Sequence, residues 1–317
     1  MLKFITQRLL IFIPLALLLT VVVFGLVNGL LGDPAYLILG REAAPDTVQH
    51  LRHQMGFDRP LYVQYLDWLE GILRWDLGRS LRTHQLVSDA IQSRVPVTVE
   101  LAIGALVVAV TLSIFLGAAA AVTRSRFVKH ALTGLAITAV TLPNFLVGIM
   151  FILVFALHLR LFPVSGYVSL LQDPPGNVRV MMLPILTLGL GYVGSLTLIL
   201  EASIRHVRQE PYIQTAHAKG LSESRILRRH VLKNSLIPFI TNLGLSAARL
   251  FGGAVVTETV FALPGMGRLL VDSLLSRDFP TFQALLVIMT FGVLSLNLVM
   301  DIAYSFLDPR ITYEWRI

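Results

Sequence analysis

The sequence predicts an all-α integral membrane protein of six transmembrane helices with both termini on the cytoplasmic side. Three observations lead there. Of 317 residues, 55% are hydrophobic and only 14% are charged, against about 25% charged in an ordinary soluble domain. Six mainly apolar runs reach or exceed the roughly 20 residues that a helix needs to cross a bilayer: Leu9–Leu31, Val97–Val122, Ala131–Leu157, Met181–Leu200, Leu236–Val256 and Ala284–Phe306. The connections between them alternate between basic and charge-balanced, as connections on opposite sides of a membrane do.

The first run follows Lys3 and Arg8. It is longer than the about 7–15 apolar residues of a secretory signal, and no small-x-small cleavage pattern follows it. It is therefore expected to stay as an anchor. The connection Thr123–His130 carries Arg124, Arg126 and Lys129 and no acid. In Glu201–Ser235 the cations Arg205, Arg208, Lys219, Arg225, Arg228, Arg229 and Lys233 outnumber Glu201, Glu210 and Glu223. Both connections read as cytoplasmic. Gly32–Pro96 is nearly balanced and Thr257–Gln283 slightly acidic, so these face outward.

The net charge of +7 is thus largely a topology signal, which argues against nucleic-acid binding. With no cysteine, disulfides and thiolate metal sites are excluded. The organisation expected is a first helix plus outward segment over 1–96, five further helices over 97–306 with a cytoplasmic loop at 202–235, and a cytoplasmic tail over 307–317.

The outward segment has structure of its own. In "APDTVQHLRHQMG", Val48, Leu51 and Met55 share one helical stripe, Pro45 and Asp46 sit in the first turn, and Gly56 follows the end. A second helix is expected in "RPLYVQYLDWLEGILRW", where Leu61, Tyr65, Leu69 and Ile72 recur with Trp68 and Trp75. That pattern suits a helix lying on the outer membrane face, with its tryptophans at headgroup level.

The cytoplasmic loop is too long for a plain connector. "EPYIQTAHAKG" has Pro211 in a first helical turn and Gly220 at a stop, with Tyr212, Ala216 and Lys219 on one side. "SESRILRRHVLKN" follows, with Ser222 at the N-cap and Glu223 in the first turn. Ile226, Leu227 and Val231 form its apolar stripe, and Arg225, Arg228, Arg229 and Lys233 cover the rest. Two short helices meeting at a glycine form a docking element for a partner; the plainer reading is a basic loop resting on anionic lipid.

The residue pattern favours docking. Tyr212–Gly220 followed by Leu236-Ile-Pro238 resembles the coupling loop of binding-protein-dependent ABC importer permeases. At that family's Glu-Ala-Ala positions this chain has Gln214, Thr215 and Ala216, and Gly220 stands farther from Pro238, as in the dipeptide/oligopeptide/nickel branch. "GDPA" at Gly32–Ala35, "MGFDRPLYVQY" at Met55–Tyr65, "DLGRS" at Asp76–Ser80, "FPVSGY" at Phe162–Tyr167, "ETVFALPGMGRLLVDSLLSRDFP" at Glu258–Pro280 and "LDPRI" at Leu307–Ile311 also resemble the dipeptide permease B-like members of that branch.

The resemblance implies a type I ABC importer transmembrane fold and a heterodimer with a second, related permease. It also implies two ATP-binding subunits or domains carrying ATP and magnesium, and an extracytoplasmic solute-binding protein. Tyr212, Gln214, Ala216, Gly220, Leu221 and Arg225 would make up the ATPase-coupling loop. The chain would be a non-catalytic permease in the bacterial inner membrane, surrounded by lipid. It would bind no cofactor and import di- or oligopeptides, with nickel or a metal chelate and glutathione as alternatives.

Four residues are candidates for the translocation pathway. Arg249 lies deep in the fifth run, where a charge costs about 2.5–3.5 kcal/mol unless it faces protein or water. It sits beside Gly244, Ala248 and Gly252, a small-residue face suited to close packing. Arg249 would meet a carboxylate of the solute; a structural ion pair or snorkelling is the alternative. Asn144 follows Pro143, which kinks the third helix and frees a carbonyl that Asn144 or Thr141 would satisfy. Asn297 shares a face with Asp301 in the last helix, and Glu258 opens the last outward connection. Glu100, at the outer start of the second helix, reads as structural.

His50 and His53 are spaced i, i+3 but read as a solvated pair, so no metal site is expected. No G-x-x-x-x-G-K-[ST] stretch or H-E-x-x-H is present, and no histidine lies at mid-membrane depth to serve as a base. Enzyme chemistry is therefore disfavoured. A self-sufficient channel or secondary transporter is the remaining rival, and it would leave the ordered cytoplasmic loop unexplained.

Overall fold

The computed structural model describes residues 2–31, 36, 39, 43–56 and 58–307. The "GDPA" stretch, nearly all of "LDPRI" and the tail fall outside the described residues. Among those described, the regular structure is helical apart from one isolated antiparallel bridge, Arg79 to Leu86. Five helices are long and apolar enough to cross a membrane, and a bent pair makes a sixth crossing if counted as one. The chain divides into two compact units, residues 1–96 with 265–295, and residues 97–264 with 296–317.

In the first unit α1 (Leu2–Leu31) is followed by α2 (Pro45–Met55) and α3 (Leu61–Leu73). α2 has the limits its sequence predicts. Pro45 starts it and Gly56, at φ 70°, closes it in the left-handed region that a glycine enters without a Cβ clash. Val48 is buried.

α3 carries two apolar stripes, a fact hidden by reading one. Tyr65, Trp68 and Ile72 lie toward α1, where Phe24 meets Trp68 and Tyr65 at 5.5 Å between ring centroids. Tyr62, Leu66 and Leu73 remain exposed. Trp68 is thus half-buried against α1, while Trp75 stays exposed. Further on come α4 (Val87–Gln92), α12 (Met266–Leu275) and the start of α13 (Phe279–Leu307).

Asp278, immediately before α13, holds this unit together. It is 5% exposed and accepts hydrogen bonds from Ser80 Oγ at 2.6 Å, Leu81 N at 3.0 Å and Thr281 Oγ1 at 2.8 Å. Ser80 Oγ in turn accepts from the amides of Arg82 and Thr83. Two stretches that the sequence shows only as separate motifs, "DLGRS" and "SRDFP", are therefore one clamp around a buried carboxylate.

The second unit is built on α8 (Pro174–Arg208), which packs against α6 (Arg126–Thr141), α7 (Asn144–Phe151) and α11 (Leu232–Val260). α5 (Val95–Val122) contributes Val97, Leu101 and Ala105 to the same core. α6 comes closest at Gly194: a Cβ there would collide with the carbonyl oxygen of Ala136. Only a glycine lets the two backbones approach so closely.

The third apolar run is the principal departure from expectation. In place of one kinked helix, α6 and α7 meet at 103°. A proline disfavours helical backbone in the residue before it. Leu142 is extended at φ −75°, ψ 128°, and Pro143 itself is extended at φ −61°, ψ 133°, so two consecutive residues leave the helix and its direction is lost. The Thr141 hydroxyl bonds the Thr138 carbonyl at the end of α6. Pro184 and Pro238, by contrast, lie inside continuous helices. α7 runs on as a π-helical segment, Ile152–His158, and a second such segment, Leu227–Val231, precedes α11.

Candidate functional site

The loop between α8 and α11 folds as α9 (Pro211–Ala218) and α10 (Glu223–Ile226), the latter continuing into the π segment Leu227–Val231. Gly220 stands between them at φ 74°. Ser222 occupies the N-cap position of α10, but its side chain makes no capping bond. Ile213 and Ala216 are buried one turn apart, together with Ile226 and Val231, in a core that also takes Leu200, Ile204 and Val207 from α8 and Phe239 from α11. The inner face of α9 is therefore Ile213 and Ala216, a register different from the expected grouping of Tyr212, Ala216 and Lys219.

Tyr212 lies at the edge of this face, its hydroxyl accepting a 2.7 Å hydrogen bond from Asn234 Nδ2. Gln214, Gly220 and Arg225 are exposed, and Leu221 is half-buried. An ion pair ties the helices further, Arg208 to Glu223 at 3.3 Å, and the His217 ring lies 3.5 Å from the same carboxylate. Of the six residues expected to form the coupling loop, Gln214, Gly220 and Arg225 stand fully on its open side, and Ala216 supports it from beneath.

At the root of the loop Glu201 is 1% exposed. It accepts a hydrogen bond from Thr133 of α6 at 3.2 Å and pairs with Arg205 at 3.2 Å. The sequence counts Glu201 only among loop charges; an acid closing an apolar run was the signal available.

The pathway candidates fall into three settings. Glu258 is enclosed at 0% exposure and accepts a 2.6 Å hydrogen bond from Thr98. Asn297 is half-buried in α13, one turn from Asp301. Asn144 and Arg249 belong to the third setting, a group around Tyr192 of α8. A Cβ at Gly191 would collide with Asn144 Oδ1, so the amide lies directly on that glycine. A Cβ at Gly253 would sit 3.5 Å from the Tyr192 hydroxyl and 3.8 Å from Asn144 Nδ2. Arg249 lies one turn before Gly253 on the same helix.

The Arg249 guanidinium is exposed and donates through Nε to the Leu245 carbonyl at 3.3 Å; no carboxylate pairs with it among the described residues. Close packing on α11 involves Gly244, Ala248 and Gly253. Gly252 faces open space, contrary to its expected place in the packing face. Tyr192 is not a residue the sequence singles out; the signal was "GLGYVG", a tyrosine among glycines deep in an apolar run.

Outside both regions, Glu100 accepts from Asn177 Nδ2 at 2.6 Å and from the Tyr167 hydroxyl at 3.0 Å, which fixes the "FPVSGY" stretch to α5 and α8. Burial and the Glu100 carboxylate push the Tyr167 phenol up to about 12. His53 bonds Asp58 at 2.5 Å, and this hydrogen bond holds the Asp58 carboxyl below its ordinary value.

Comparison with known proteins agrees along nearly the whole chain. The family model described as "Binding-protein-dependent transport system inner membrane component" matches residues 113–313, and its companion for the N-terminal part matches residues 1–102. A Brucella abortus protein named "Putative peptide transport system permease protein" is 38% identical over 302 residues, covering 95% of this chain and 96% of its own. The "Glutathione transport system permease protein GsiC" of Salmonella choleraesuis is 37% identical over 314 residues, covering 99% and 100%. Among solved structures, one titled "Crystal structure of an amino acid ABC transporter with histidines" is similar at a TM-score of 0.48 and 15% identity, covering 69% of this chain and 91% of that one. A multi-pass helical chain matched over almost its full length by these models and relatives belongs to the family of binding-protein-dependent transport system inner membrane components.

Proposed function

We propose that this chain is the permease subunit of an ATP-driven importer of the type I architecture, forming half of the pathway for di- or oligopeptides or related small solutes. It works as a heterodimer with a second, related permease, together with two ATP-binding subunits or domains and an extracytoplasmic solute-binding protein. ATP and magnesium are held by the partners, since this sequence contains no phosphate-binding G-x-x-x-x-G-K-[ST] loop. Its place is the bacterial inner membrane, with both termini inside.

The carrying observation is the construction of the α9–α10 loop. Its inner side chains, Ile213, Ala216, Ile226 and Val231, are part of one core with α8 and α11. A push on the open side is therefore delivered to two long helices, because packed cores transmit displacement with little compression. Glutathione is the second reading of the solute, favoured by the likeness to the Salmonella permease.

Because the chain has no cysteine, single-cysteine cross-linking tests this directly. In the assembled complex, Gln214→Cys on the open side is expected to cross-link to the ATP-binding subunit, and Ala216→Cys beneath it to give none. Cross-linking from neither Gln214→Cys nor a second open-side probe, Lys219→Cys, would remove the coupling role.

A further inference from the structure

Three polar side chains line neighbouring turns of α8 and α11 in the second unit, Asn144 and Tyr192 beside Gly253 and Arg249 one turn before it. Asn144 rests on Gly191, Tyr192 OH and Asn144 Nδ2 both border the space beside Gly253, and Arg249 stands one turn away on the face that α11 leaves open. Leu245 and Val256, on that same face, are exposed. Among the described residues the Asn144 amide and the Tyr192 hydroxyl have no hydrogen-bond partner, and Arg249 spends only its Nε on Leu245. A cation at this depth is retained where it meets water, a counter-charge or a passing solute.

All three groups can donate: the terminal guanidinium nitrogens, a phenolic hydroxyl and an amide NH2. A planar guanidinium matches the two oxygens of a carboxylate, and the two further donors one turn along the same helix suit the polar groups that follow it. The glycines make room for the side chains themselves. Any side chain at Gly191 would displace the amide, and a Cβ at Gly253 would fill the space between amide and hydroxyl while meeting Leu188 Cδ1 at 2.8 Å. The 103° bend after Thr141 is what brings Asn144, the first residue of α7, to this position.

We infer that Arg249, Tyr192 and Asn144 form a carboxylate-recognising station on the solute pathway, with Gly191 and Gly253 as its floor. This rests on the permease reading and narrows the solute class to small molecules with a free carboxylate, such as a peptide C-terminus. The station reads the anionic end of the solute at mid-passage, independently of whatever the binding protein selects outside.

Gly252→Cys provides a probe, since a Cβ there meets nothing within 4 Å and the chain has no other cysteine. The purified complex is labelled with a maleimide in the presence of dialanine or dialanine amide, without binding protein. Dialanine at about ten times its dissociation constant is expected to slow labelling about 10-fold by occupancy, and the amide to slow it far less. Adding Arg249→Gln should abolish the difference, and Arg249→Lys should retain part of it.

Equal protection by the two compounds, protection that survives Arg249→Gln, or no protection by dialanine would each overturn the station. Uptake is measured separately: wild-type complex in proteoliposomes with binding protein and ATP. Absent uptake there would sink the permease reading while leaving the labelling result to stand or fall alone.

Discussion

Ser80 donates a 2.6 Å hydrogen bond to Asp278, a residue 198 positions later in the chain, and both side chains are buried. A buried carboxylate is tolerated when its oxygens are met by donors, and Asp278 has three. Asp278→Ala would leave those donors unpaired in a dry site and is expected to lower the stability of the first unit by about 3 kcal/mol. Asp278→Asn should cost less, because the amide oxygen can still accept from Leu81 N and the Thr281 hydroxyl can turn to accept from the amide NH2, whereas Ser80 Oγ already accepts two backbone amides. Tryptophan fluorescence during denaturation measures this in a Trp315→Phe background, since the other two tryptophans, Trp68 and Trp75, belong to that unit. Equal stability of wild type and Asp278→Ala would show that the clamp carries no load.

Two glycines predict opposite outcomes for the same substitution. Gly194→Ala would drive a Cβ into the Ala136 carbonyl, and backbone cannot step aside as a side chain can. Overpacking of this kind costs about 1–3 kcal/mol. Gly252→Ala meets nothing within 4 Å, so the better helix propensity of alanine should leave stability unchanged or raised by up to about 1 kcal/mol. Thermal inactivation of the two purified variants gives the comparison, and a less stable Gly252→Ala would contradict it.

What could be read from the sequence depended on how local its cause was. The limits of α2 follow from Pro45 and Gly56, two residues whose backbone preferences act on the spot, and the helix–glycine–helix form of the 211–231 loop follows likewise. A kink at Pro143 followed as well, but not its growth into a 103° break, because Pro184 and Pro238 present the same local chemistry and remain inside helices. Which proline breaks its helix is decided by what packs around it. The inner register of α9 and the grouping of Tyr192 with Asn144 and Arg249 depend on three helices meeting, and no single periodicity contains that information. Arg249 stood out alone because the cost of its charge in an apolar run is itself local.

The Tyr167 hydroxyl, held up to about 12 by burial and by Glu100, makes the outer connection sensitive to strong base. In the unfolded chain a tyrosine ionises near 10. The neutral, donating form is therefore favoured by folding; its contribution is complete below about pH 10 and is lost as pH rises through about 12. Tyrosinate absorbance should show a late-titrating component in the wild type that is smaller by one phenol in Tyr167→Phe. Loss of a different tyrosine's signal, or no late titration at all, would reject the assignment.

Gly220 joins α9 to α10 at φ 74°, and a Cβ at that position would meet no atom within 4 Å. Space is thus no obstacle to a side chain there; only the backbone conformation is. A β-branched residue in the left-handed region costs about 1–2 kcal/mol or more, whereas asparagine enters it more readily. Gly220→Val should therefore shift the angle between the two short helices without unsettling Ile213, Ala216, Ile226 or Val231 enough to prevent insertion of the chain. The expected result is normal abundance in the membrane, ATP hydrolysis that no longer responds to solute-loaded binding protein, and uptake reduced at least about 10-fold. Gly220→Asn should retain most coupling. If Gly220→Val transports as the wild type does, the left-handed turn is a convenience of the loop and the force from the ATPase enters elsewhere.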